Sequence, residues 1–162
     1  MENTCYRRNV NMLAIISSAA FAGCNLFIGL SIGSIWMALP PLDFASRFWE
    51  QFTRFTYTIM PLFILTLVGL GLSARLDWAY PRLRPYWVRA LLFYVATTAI
   101  TLVYHVPENL MLRMKNYSAS EADSVRFYWL VIHIPRVVLT FGIPVYALAA
   151  VFTRDGKEIP EN

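Results

Sequence analysis

Four apolar runs, each close to twenty residues or longer, constrain this chain more than any other feature. They cover approximately 10–39, 55–72, 87–106 and 127–152. About 20 helical residues cross the hydrocarbon core of a bilayer. Inside hydrocarbon a segment must satisfy its own backbone hydrogen bonds, which helices and closed barrels do. No ten-residue alternation of barrel strands is present. The expected fold class is therefore all-α, a four-transmembrane-helix bundle forming a single integral membrane domain. Composition agrees: the 162 residues are 57% apolar and 15% charged, whereas a soluble domain carries about 25% charged residues. Charges and prolines (Pro40, Pro41, Pro81, Pro85, Pro107) collect between the runs.

The net charge of +4 comes from scattered cations, a pattern of orientation in a bilayer and not of nucleic-acid binding. Cys5 and Cys24 stand about 28 Å apart on one helix, too far for a disulfide within the chain. Arg7, Arg8 and the segment Phe21-Ala22-Gly23-Cys24 resemble a lipoprotein signal. The apolar run continues through Leu39, however, so a retained helix is expected. Eight cations lie on one side: Arg7, Arg8, Arg75, Arg82, Arg84, Arg89, Arg154 and Lys157. Five lie on the other: Arg47, Arg54, Arg113, Lys115 and Arg126. The positive-inside rule then puts both termini in the cytoplasm. The short loops suggest a bacterial inner membrane, in which the Asn116-Tyr117-Ser118 sequon would have no role.

Span one carries small residues at Ser18, Ala22, Gly29 and Gly33. The Gly29/Gly33 pair allows close helix approach, inside the bundle or in a homo-oligomer. Phe44, Phe48 and Phe52 recur every four residues in 43–54, predicting a short amphipathic interfacial helix between spans one and two. Pro61, Pro135 and Pro144 should kink their helices.

Polar groups that lipid rejects mark the candidate site. Span three has Tyr94, Thr98, Thr101 and His105 at helical spacing, then Glu108 and Asn109 beyond Pro107. Span four has Trp129, His133, Arg136 and Thr140 on one face. Arg136 lies about 13 Å into its span, with Glu50 or Glu108 as its expected partner. Arg54 and Arg126 are expected to snorkel to the surface, Glu50 and Arg54 being spaced as an i, i+4 pair. His105 ends span three and His133 begins span four, so both lie toward the outer side. Glu50, Arg54 and Tyr57 enter span two there, and Trp36 closes span one. The inner half offers only Asn25.

The stretch RFYWLVIHIPRVVLTF resembles the Trp-x-x-x-His-x-x-Arg element of the DUF1772, or anthrone oxygenase-like, membrane proteins, at Trp129, His133 and Arg136; Pro135 departs from the pattern. AGCNLFIGLSIGSIWMALPPL, FWEQFTRFTYTIMP and HVPENLML, similar to that family's Val-Pro-x-Asn element at Val106, Pro107 and Asn109, follow the same order. The resemblance implies a four-helix membrane protein, some relatives of which oxidise anthrones to anthraquinones without an evident cofactor.

Such chemistry needs a base, an oxyanion stabiliser and an apolar slot for flat rings. His133 or His105 would be the base, and Arg136 and Asn109 would hold the oxyanion. Trp129, Trp36 and Tyr104 would line the slot, with Tyr57 and Glu50 at its edge. The bilayer would supply a lipophilic substrate and dioxygen. Two further readings stay open. His105, Glu108 and His133 could bind iron or copper, or the two histidines a b-type haem. Alternatively the polar cluster could only pin the helices of a scaffold or accessory subunit.

Overall fold

A computed structural model describes residues 2–155, all of whose long elements are helical; Lys157 lies outside the described residues. The helices form four rods. The first comprises α1 (Glu2–Phe27), a π-helical turn (Ile28–Ile32) and α2 (Gly33–Ala38). The second is α3 (Pro41–Asp77). The third comprises α4 (Arg84–Ile100), a second π turn (Thr101–His105) and α5 (Val106–Met114). The fourth is α6 (Ala119–Asp155). Each rod contains a helical stretch long and apolar enough to cross a membrane, compatible with a multi-pass membrane protein. The rods exceed the sequence-derived spans because a helix continues past the hydrocarbon wherever no residue stops it. At 37 residues, α3 is about 55 Å long, against a core of about 30 Å.

Proline sets the boundaries. Pro41, Pro85 and Pro107 sit in first turns, where the missing N–H has no helical partner to lose. Pro61, Pro135 and Pro144 lie inside helices that continue on both sides. The phenylalanine stripe is helical as its spacing predicts, but it forms the first part of α3 and not an element of its own. Phe44 and Phe48 are buried, and Phe52 packs against their cluster.

α1 packs on α3 and α6, and α4 packs on α6 and α3. Glycine lets the first rod approach closely. A Cβ at Gly69 would stand 2.7 Å from the Ala14 backbone, and one at Gly33 would stand 2.8 Å from Leu130 Cδ2. Gly29 faces His133 at 3.0 Å by the same construction. Gly29 and Gly33 thus serve packing against α6 within the chain, the first of the two roles their spacing allows.

Two apolar clusters form the core. One centres on Phe21, Leu70, Trp87, Tyr94 and Ile143, the other on Ile28, Trp36, Phe44, Phe48 and Trp129. The end with the first cluster is more polar than the sequence reading allows. Asp77 is buried, accepts a hydrogen bond from Trp87 Nε1 at 2.9 Å and faces Arg7 Nε at 3.5 Å. Asn11 and Ser73 are buried nearby in sequence terms, on the facing helices α1 and α3. Asp77 sits beyond the run 55–72, so its burial was visible only once α3 extended to it.

Candidate functional site

Between the two core clusters lies a cavity of about 300 Å³. Its walls are mostly apolar: Phe21 and Ile28 of the first rod, Phe55, Ile59, Met60 and Phe63 of α3, and Leu102 and Val106 of the third rod. Its polar groups are Asn25, Thr56, Thr98, Thr101, Asn109 and Arg136, with Trp36 and Trp129 beside them. Met60, Leu102 and Val106 are exposed at its mouth between α3 and the third rod, so it opens sideways, toward the region a bilayer would occupy.

The α6 face read from sequence does turn inward: Trp129, His133, Arg136 and Thr140 are all buried. Trp129 Nε1 donates to Asn109 Oδ1 at 2.8 Å, so Asn109 ties α5 to α6. Asn109 also lines the cavity, and its amide nitrogen is a donor. His133 Nε2 donates to the Asn25 carbonyl at 2.9 Å, leaving Nδ1 buried without a partner. Asn25 itself donates from Nδ2 to the Phe21 carbonyl at 2.8 Å. Asn25 therefore belongs to this site and not to an isolated inner position.

Arg136 is 8% exposed. Its Nη1 lies 3.5 Å from Thr101 Oγ1 and its guanidinium 5.9 Å from the Trp129 ring centroid. Among the described residues no carboxylate is within ion-pair distance of it. The expected partners fail for separate reasons. Glu50 is exposed and paired with Arg54, as a surface i, i+4 couple. Glu108 is only half-buried, because the turn after Pro107 carries it off the inward face that Asn109 holds. A buried guanidinium with no counter-charge is costly, and this one lines the cavity.

The histidines are close to each other, with ring centroids 5.8 Å apart. Neither lines the cavity; both lie behind Trp129, which stacks on His133 at 5.1 Å and meets the His105 ring at 4.7 Å. Both ring nitrogens of His105 are buried without hydrogen bonds. Tyr104 stands against His105 at 5.4 Å but does not line the cavity either. Tyr57 is 77% exposed on the outward side of α3, and Glu50 points to solvent, so neither contributes to the slot. Glu108 does not join the histidines: among the described residues no three His, Cys, Asp or Glu side chains form a metal-binding group.

Two features escaped the sequence reading. Both rods that flank the site contain a π turn, the first bearing Ile28 and Gly29 and the second bearing Thr101 and His105. π turns recur at functional sites because they re-aim side chains within a helix; Pro107 is the visible signal for the second. Arg126 is also buried. Its Nη1 donates to the Trp36 and Leu39 carbonyls at 2.7 Å each, and its Nη2 pairs with Asp123. It does not snorkel because the end of α2 presents the Trp36 and Leu39 carbonyls and partial negative charge directly opposite it.

No model of a known protein family matches the chain, and neither the curated proteins nor the solved structures yield a match.

Proposed function

We propose that the cavity binds a lipophilic, ring-sized molecule carrying one acidic oxygen, such as a phenol or an enolisable aromatic ketone. The observation that carries this reading is Arg136, a buried guanidinium without a carboxylate, at the polar end of an otherwise apolar cavity. The missing counter-charge is supplied by the ligand. Asn109, which lines the same cavity, supplies a second donor from its amide nitrogen to the same oxygen. With both termini cytoplasmic in a bacterial inner membrane, the site lies in the outer half of the bilayer, where apolar substrate and dioxygen both concentrate.

Together with the resemblance to anthrone oxygenase-like proteins, this supports an oxygenase-like activity. Deprotonation of the acidic C–H gives an enolate held by Arg136 and Asn109. The enolate reduces dioxygen to a carbon-bound hydroperoxide, which loses water to leave a ketone. One CH₂ and one O₂ become one C=O and one H₂O. His105 or His133 is the base, and rotation of the Trp129 indole away from Asn109 brings it to the cavity. A helix-pinning role is the second reading, favoured by the Trp129–Asn109 and His133–Asn25 bonds that join three rods.

The test is oxygen uptake and quinone absorbance in proteoliposomes given an anthrone. Removing one oxyanion donor costs about 10²–10³ in turnover, the loss expected for Arg136→Gln. Uptake no faster than in empty liposomes, or undiminished in Arg136→Gln, would refute the activity. A stability loss in His133→Ala with no ligand-dependent phenotype in any site variant would favour the pinning role.

A further inference from the structure

A second cavity, of about 390 Å³, lies at one end of the bundle, between the first turns of α3 and the turn that joins α5 to α6. It shares no lining residue with the Arg136 cavity. Two cations, Arg113 and Lys115, line it, and no carboxylate does. Glu121 holds Lys115 Nζ at 2.9 Å from outside the cavity. Arg113 has no carboxylate within ion-pair distance among the described residues. Its guanidinium lies 4.8 Å from the Trp49 ring centroid, and Lys115 Nζ lies 5.0 Å from that of Tyr117. An aromatic face attracts a cation without neutralising it, so each ring fixes a positive charge at the cavity wall. The complement of that wall is an anion.

Position decides what carries the anion. Trp49 stands six residues ahead of the apolar run that begins at 55, about 9 Å along the helix. That is the level at which aromatic and cationic side chains gather at the edge of a bilayer. Leu42, which lines the cavity, is exposed, as are Met111 and Met114 on either side of Arg113. A free anion would leave those apolar side chains in water, whereas a lipid covers them with its chains. The rings also restrict the headgroup. A quaternary ammonium seeks an open aromatic face, and the faces of Trp49 and Tyr117 already carry Arg113 and Lys115. We infer that this cavity binds the phosphodiester headgroup of an anionic phospholipid. The phosphate meets Arg113 and Lys115, and the acyl chains leave over Leu42 and Met114 into the bilayer. The site is separate from the Arg136 cavity and does not depend on the function proposed for it.

The experiment titrates the full chain in neutral maltoside micelles with dioleoylphosphatidylglycerol and counts retained lipid by native mass spectrometry. Dioleoylphosphatidylcholine and chain-free glycerophosphoglycerol are titrated in parallel. Phosphatidylglycerol should be retained more tightly than either. Arg113→Gln should weaken it about fivefold, the effect of one cation at a membrane surface. Arg54→Gln, which removes a cation outside the cavity, should leave retention unchanged. Ser46→Trp keeps both cations but fills the space between them, and should abolish retention. Equal losses in Arg113→Gln and Arg54→Gln would show attraction to surface charge alone and overturn the site. Retention undiminished in Ser46→Trp, or equal for the two lipids, would overturn it as well. Glycerophosphoglycerol bound as tightly as the lipid would show a site for a soluble phosphodiester and overturn the lipid assignment.

Discussion

Gly69→Ala, measured beside Gly71→Ala, tests the packing on which the site depends. Both glycines lie inside α3, two residues apart. In each, alanine lowers the conformational freedom lost on folding, a gain of roughly 0.5–1 kcal/mol. The neighbours then differ. At Gly71 the new methyl meets nothing within 4 Å; at Gly69 it stands 2.7 Å from both Ala14 N and Ala14 Cα. Those atoms belong to the backbone and cannot rotate away, so α1 and α3 must separate locally. Overpacking of this kind costs about 1–3 kcal/mol. Because the backbone gain is common to both variants, the difference between them isolates the steric cost, about 5- to 150-fold in the unfolding equilibrium. Equilibrium unfolding in mixed micelles, followed by tryptophan fluorescence, measures it. Equal stability for the two variants would show that α1 and α3 are not in contact at Ala14, and the placement of Asn25 against His133 would lose its support.

Four further outcomes are expected from the same assay. Asp77→Asn should destabilise by about 1–3 kcal/mol, less than for a fully buried pair because Arg7 is 27% exposed; the Arg7→Gln/Asp77→Asn double variant should recover part of the loss. Arg126→Ala should cost about 1.5–3 kcal/mol, since two carbonyls at the end of the first rod lose a charged donor. Arg54→Ala should cost at most about 1 kcal/mol, its pair with Glu50 being exposed. Trp129→Phe should destabilise by about 1–3 kcal/mol by leaving Asn109 Oδ1 unpaired, with wild-type stability as the result against it.

The resemblance of these two arginines in sequence, and their difference in the folded protein, marks the boundary between the two kinds of information. Hydropathy alone determined that the chain forms four long helices, because the bilayer core sets one length for every crossing segment. Helical periodicity alone determined that Trp129, His133, Arg136 and Thr140 share a face and that the face is buried, because lipid rejects their polar atoms. Periodicity assigns an angle around a helix, however, and says nothing about what stands across from it. That Asn25 accepts from His133, that Arg126 caps α2, that Arg136 meets a cavity and no carboxylate, and that Glu50 and Tyr57 face away were decided only by how the rods pack. Those contacts join residues as much as 108 positions apart, and they depend on the height and rotation of each helix against its neighbours. Two π turns and the glycine contacts at Gly29 and Gly69 set that register; Pro107 and the Gly29/Gly33 spacing mark some of these places in the sequence, but not the neighbour each one meets.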